Sequence, residues 1–387
     1  MNFKEYYENE DVIKEAAIVN MGDFTEVLFA VGLLHYTLKN QVTPEDIMNT
    51  INDIPSLPYE NTFNHDTYDV SLQLEGKEGV SNLIGGNFRH LSEEHQIQVK
   101  EIINKIAINI PKLRTIHKVD DFIKKVRSHQ DASKFIIGIK SKGSKTAQEE
   151  ETKADVTMEI LPIDNIQIPS DIKKITYSVK YSKDKTTSKV AETSIFTLIL
   201  RLGNAFKLPM VQGLENMRSL PYRVSPQNGS KWLHELFYSN ESYKKLSLQE
   251  NHLFNFIRKF YSPDQLDKDL VIKHFMLEFN SEMTVKEKQQ PQFSKILYDF
   301  LEKEIFGQDM ADVVKIDING IKDIDLESYN KIRNNFLVDF STRPTKSKNL
   351  IFKFEAVAKD GSSFMLFWID NHKSGTVQIH IGEELLK

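Results

Sequence analysis

The chain contains no cysteine, which excludes disulfides, thiol nucleophiles and thiolate-bound zinc. It has no excess of basic residues either. Lys and Arg number 50 against 55 Asp and Glu, for a net charge of −5. That balance excludes a protein coated in positive charge but leaves room for a local basic channel. No apolar run approaches the ~20 residues a membrane-crossing helix needs. The opening MNFKEYYENEDVIKE is too acidic and polar for a signal or transit peptide. A cytoplasmic protein with no membrane partner is expected. Two enzyme signatures are missing as well: there is no His-Glu-x-x-His and no Gly-x-Ser-x-Gly. His90 and His95 are five apart and so fall on different helix faces. Residues Gly138 to Thr146 nearly spell a phosphate-binding loop, but Ser144 intrudes between Gly143 and Lys145. The extra residue changes which backbone N–H groups converge, so a nucleotide-binding loop is set aside. There is no internal repeat and no low-complexity tract.

What is present is ample for a packed core: 387 residues, 40% of them hydrophobic, including 24 Phe. The organising stretch runs from Lys153 to Lys189. Val156, Met158 and Ile160, then Ile175, Tyr177 and Val179, alternate with the period of half-buried strands. Phe135 to Lys140 predicts a strand before them. Lys173 to Lys189 carries six lysines among Ser, Thr and Tyr, residue types that reach phosphate oxygens. Asp155 opens one predicted strand and Lys180 closes its neighbour. A carboxylate and an amine meeting there suit a hydrated divalent cation beside a phosphodiester.

Upstream, Gly22 to Leu34 predicts a helix capped by Asp23, burying Phe24, Leu28, Val31 and Leu34. Glu26 lies off that stripe. Its plain reading is a first-turn carboxylate interacting with the helix dipole; its functional reading is a second acid for the cation. Thr43-Pro44-Glu45-Asp46 carries a helix-start signature. Ser92 to Ile110 predicts a helix with Val99, Ile102, Ile103 and Ile106 inward. The cluster Lys124, Lys125 and Arg127 reads first as a solvated helix face and second as a phosphate clamp. Glu159 shares a strand face with Asp155, and Glu192 falls in a helix predicted over 189–202, ended by Gly203-Asn204.

With these residues in place, Asp155 at the head of one strand and Ser178-Val179-Lys180 on the next resemble the active-site half of the restriction-endonuclease-like, PD-(D/E)XK, nuclease superfamily. The helix carrying Glu26 is similar to that superfamily's first helix. The resemblance covers Gly22 to Leu202, with Ala154 where the motif has proline and Ser178 where it has its middle acid. It implies an α/β (α+β) fold, a mixed sheet flanked by helices. It also implies a DNA endonuclease using Mg²⁺, with Mn²⁺ as a substitute, held by Asp155 and Glu26. Lys180 and Ser178 would complete the catalytic set, and Lys183, Lys185 and Lys189 would contact DNA, expected to be double-stranded. A homodimer is the assembly it allows for. The rival is a non-catalytic DNA- or protein-binding chain retaining the same fold.

The expected organisation is a nuclease-like core over 1–208 with an inserted segment at 41–130, then a C-terminal domain over 209–387. The latter reads as helical from Lys231 to Phe306, then a hairpin at Asn319-Gly320. It ends in a three-stranded meander over Leu350 to Ile381, and the inserted and C-terminal regions are the candidates for target recognition. The meander's aromatics, Phe352, Phe354, Phe364, Phe367 and Trp368, read first as a core and second as a base-stacking platform.

Overall fold

The first described helix, α1 (Met21–Lys39), shows why this part of the chain folds. Phe24, Val27, Leu28, Val31 and Leu34 are buried, and so are Phe29, Ala30, Leu33 and Tyr36 on its other sides. A helix apolar all round becomes a core element rather than a surface one. A Cβ on Gly32 would stand 2.7 Å from Ile106 and 2.5 Å from Ile110, so that helix packs too closely to admit even alanine without movement. Asp23 lies inside α1, which already includes Met21, so it is not the cap expected from the sequence. The computed structural model describes residues 21–53, 60–75, 93–142, 154–162, 167–182, 189–214, 233–245, 247–317, 320–344, 350–372 and 376–386.

After α1 comes α2 (Pro44–Asp53). Its capping box is complete. The Asp46 N–H donates to Thr43 Oγ1 at 3.1 Å, and Asp46 Oδ2 accepts from the Thr43 N–H at 3.2 Å. Strands β1 (Glu60–Asn64) and β2 (Asp69–Glu75) pair antiparallel. Helices α3 (Glu93–Asn109) and α4 (Ile116–Ser128) then carry the chain to β3 (Ile136–Lys142), which is parallel to β2. Such a connection needs a crossover of this length. Next, β3, β4 (Val156–Ile160) and β5 (Ile175–Tyr181) form an antiparallel meander, as their alternation predicts.

The chain then leaves this sheet. It forms β6 (Lys189–Ser194), α5 (Ile195–Phe206), α6 (Asn240–Lys245), α7 (His252–Phe260), α8 (Lys268–Glu287) and α9 (Gln290–Phe306). It returns as β7 (Asp312–Asp317), parallel to β5, and β8 (Gly320–Ile324), antiparallel to β7. The result is a mixed seven-stranded sheet in the order β1-β2-β3-β4-β5-β7-β8. Its core joins Val70, Ile137, Met158, Tyr177, Val314 and their neighbours to α1, α2, α3 and α4. After β8 come α10 (Leu326–Asn335), β9 (Phe336–Pro344), β10 (Leu350–Ala358), β11 (Ser363–His372) and β12 (Thr376–Ile381). These last four strands and β6 build a five-stranded antiparallel sheet, ordered β6-β12-β11-β10-β9.

The chain divides into two units. One holds the residues up to Thr187 together with Phe306–Glu327, and the other holds Ser188–Ile305 with Ser328–Leu386. This differs from the division at 208/209 read from the sequence. The hairpin β7–β8 belongs to the first unit because β7 pairs with β5; its turn, Ile318 and Asn319, lies outside the described residues. Residues 41–130 do not stand apart as an insertion either: Ile47, Leu72, Ile103 and Val119 share the first unit's core.

The helix expected over 189–202 is strand β6 followed by α5, which ends beyond Gly203-Asn204. Lys207, at φ 50°, supplies the left-handed cap, and the Leu208 N–H closes back on the Gly203 carbonyl at 2.8 Å. Gly203 instead makes room for Val211. Three of the meander aromatics are core: Phe354 stacks on Phe367 at 4.1 Å, and Phe352, with Phe340, extends the cluster; Phe364 and Trp368 are half-buried.

Candidate functional site

Register brings the predicted strand residues together. Val156 on β4 is paired with Tyr177 on β5, which sets Asp155 opposite Ser178. Alternation then places Ser178 and Lys180 on one face while Tyr177 and Val179 enter the core. The Asp155 N–H donates to the Tyr177 carbonyl at 2.8 Å. Its carboxylate Oδ2 accepts three hydrogen bonds: from the Val179 N–H at 2.7 Å, Lys180 Nζ at 3.0 Å and the Ser178 hydroxyl at 3.2 Å. Asp155 and Ser178 are buried, whereas the Lys180 side chain keeps 36% of its surface exposed. Burial pushes the Asp155 carboxyl up from its ordinary value. The Lys180 ammonium opposes that first, then the Val179 N–H and the Ser178 hydroxyl.

Glu26, off the stripe read from the sequence, is nonetheless buried in α1 at 6% exposure. The hydrogen bonds and ion pairs of Asp155 and Lys180 do not include it. The structure therefore joins Asp155, Ser178 and Lys180 directly, with Glu26 a buried acid on the helix that packs Phe29 against Tyr177. A hard divalent cation takes oxygen ligands. The Asp155 carboxylate is of that kind, and Oδ2 is already saturated by donors, one of them a cation. A metal on Oδ2 would have to share with Lys180, whereas Oδ1 takes part in none of these hydrogen bonds.

Glu159 lies on the same face as Asp155 and is ion-paired with Lys140 at 3.0 Å. Glu192 falls in β6 of the second unit. Lys183 and Lys185 lie outside the described residues, and Lys189 opens β6. In the basic cluster of α4, Lys125 donates to the Asp171 carbonyl at 2.9 Å. Arg127 donates to the Tyr68 hydroxyl at 3.3 Å and lies over that ring. A cleft of about 520 Å³ beside them is lined by Asn40, Asp120, Ile123, Lys124, Arg127 and Ser128. Gly138 sits mid-strand in β3, where a Cβ would meet Leu161, so it opens no phosphate-binding loop. Among the described residues, the one group of three metal-capable side chains is in the second unit. There His252, Glu278 and Glu282 lie close together. That group is occupied by its own contacts: His252 meets Glu278 at 3.1 Å and Glu282 accepts the Met210 N–H.

Sequence reasoning passed over Lys315. On β7 it pairs with Lys180 on one side and with Lys322 of β8 on the other, so three lysines form a row across three strands. Lys315 is 3% exposed, and its amine makes no hydrogen bond. Burial pulls that amine down to about 7, with Asp317 pulling the other way. The available signal was the pattern Val313-Val314-Lys315-Ile316, a lysine within an apolar β-branched run. Asp312, on the opposite face, is ion-paired with Lys118, and burial pushes its carboxyl up. Comparison with family models, curated proteins and solved structures returns no match.

Proposed function

We propose that this protein is a metal-dependent DNA endonuclease with a restriction-endonuclease-like, PD-(D/E)XK core. The observation that carries the reading is the contact of Lys180 Nζ with Asp155 Oδ2 at 3.0 Å, an acid and an amine from adjacent strands. One feature of the fold supports it: the mixed sheet in which β3, β4 and β5 form an antiparallel meander and β5 continues into a parallel neighbour. Mg²⁺, or Mn²⁺ in its place, would be held by Asp155 and would polarise the phosphodiester, whereas Glu26, on the helix packed against the Tyr177 face of the sheet, stands apart from it. Lys180 would orient and help deprotonate the attacking water and offset charge developing on phosphorus. Ser178, whose hydroxyl points at Asp155, would position a water where the superfamily has an acid. Lys183, Lys185 and Lys189 would hold the DNA backbone.

Supercoiled plasmid incubated with the protein and Mg²⁺ tests this. The wild type is expected to nick or linearise it, chelation to stop the reaction, and Lys180→Ala to slow it at least about 100-fold. Cleavage by Lys180→Ala at the wild-type rate would remove the site assignment. The neutral Ser178 at an acidic motif position favours a second reading, a DNA- or protein-binding chain that keeps the fold without the chemistry. Failure of the wild type to cut any DNA, with binding retained, selects it.

A further inference from the structure

The row Lys180–Lys315–Lys322 is electrostatically incomplete as it stands. Neighbouring strands lie about 4.7–4.9 Å apart, and like charges set side by side on a sheet repel. The outer two lysines are accommodated. Lys180 has the Asp155 carboxylate, and Lys322 is exposed to water. Lys315 has neither. It is buried, its amine has no hydrogen-bond partner, and it makes no ion pair with Asp317 two residues along the same face. An amine enclosed in this way is unfavourable unless an anion reaches it. The side from which one can arrive is that of Lys180, whose side chain is partly exposed. The Ser178 hydroxyl, which donates to Asp155, and the Thr176 side chain lie on that same face, with Val313 beside Ser178 as its apolar neighbour.

We propose that Lys315 and Lys180 form a paired-amine site for a single phosphate-type oxyanion on the polar face of the seven-stranded sheet. In the nuclease reading, on which the identity of the ligand rests, that oxyanion is a phosphodiester of the DNA backbone. Lys315 then grips a non-bridging oxygen while Lys180 faces the reacting one. The amine acts as a point charge, so it needs no fixed geometry beyond reach.

Inorganic phosphate is the probe, applied to the full chain and read by melting temperature and by titration calorimetry. Phosphate is expected to stabilise the wild type, and Lys315→Met is expected to weaken its binding about tenfold or more. The control Lys322→Met should bind as the wild type does. Lys315→Met replaces an enclosed amine by an apolar chain of similar length, so it should melt no lower than the wild type in phosphate-free buffer, which separates lost binding from lost folding. Phosphate binding that is equal in wild type and Lys315→Met, or absent from the wild type, overturns the proposal. Phosphate binding that depends on Lys315 in a protein that cuts no DNA upholds the site and discards the nuclease reading. Plasmid cleavage unchanged by Lys315→Met, with phosphate bound equally, does the reverse.

Discussion

The two sheets solve the problem of a buried strand in opposite ways. In the five-stranded sheet rings dominate the inward positions of β10 and β11, with Phe354 stacked on Phe367 at 4.1 Å and Phe279 of α8 set edge-on to Phe352 at 4.9 Å, beside Ala356 and Ile369. In the seven-stranded sheet the central strands bury Asp155, Ser178, Lys315 and Asp317 on one face, opposite a conventional apolar core on the other. Aromatic contacts stabilise wherever they are packed. Buried ionisable groups hold a fold together poorly, and replacing them by apolar ones is often neutral or favourable. A sheet that keeps them at its centre sacrifices stability there, the usual mark of a site that touches something else.

Substitutions can break that contrast or sharpen it. The largest effect is expected in the aromatic sheet, where Phe354→Ala should lower stability by about 3–5 kcal/mol, measured by denaturant unfolding. A loss under about 1 kcal/mol would mean the rings are not the core they form geometrically. Next, and of opposite sign, Lys315→Met should raise stability by about 1–4 kcal/mol near pH 6 in phosphate-free buffer. Its pH dependence follows from the amine held down to about 7 in the folded protein against an ordinary value of 10.5. Below about 7 both folded and unfolded chains carry the proton, and the folded state bears the full cost of enclosing it. As the pH rises from there towards 10.5 the folded chain sheds the proton first and the cost is relieved. The advantage of Lys315→Met should therefore shrink across that window; a gap constant from pH 6 to 10 would contradict the enclosed amine. The smallest effect lies away from both sheets. Thr43→Ala removes the capping hydroxyl of α2 and should cost about 1 kcal/mol.

Much of the first unit was legible in the sequence because its signals are local. The alternation of Val156, Met158 and Ile160 and of Ile175, Tyr177 and Val179 marked β4 and β5, and Thr43 with Asp46 marked the start of α2. Asp155, Ser178 and Lys180 meet because those two strands are consecutive and antiparallel, a pairing that short-range pattern can anticipate. The parallel partner of β5 could not be anticipated in that way. It comes from β7, far along the chain, and nothing in Asp312 to Asp317 names its neighbour. Lys315 was missed for that reason: its meaning depends wholly on lying beside Lys180. The misread segment 189–194 has a different cause. Lys-Val-Ala-Glu-Thr-Ser runs straight into the apolar turns of α5, and the helical period of Leu198, Ile199 and Leu202 was extended backwards over an edge strand.

The route of the chain through the seven-stranded sheet has a consequence during synthesis. When β5 leaves the ribosome, its outer edge has no partner, and everything from Ser182 to Ala311 must be made before β7 arrives to cover it. Until then a nascent polypeptide exposes a row of unpaired amides beside Asp155 and Lys180, the kind of edge that invites pairing with another chain. Fragments ending before Asp312 should therefore clump more readily than the full chain.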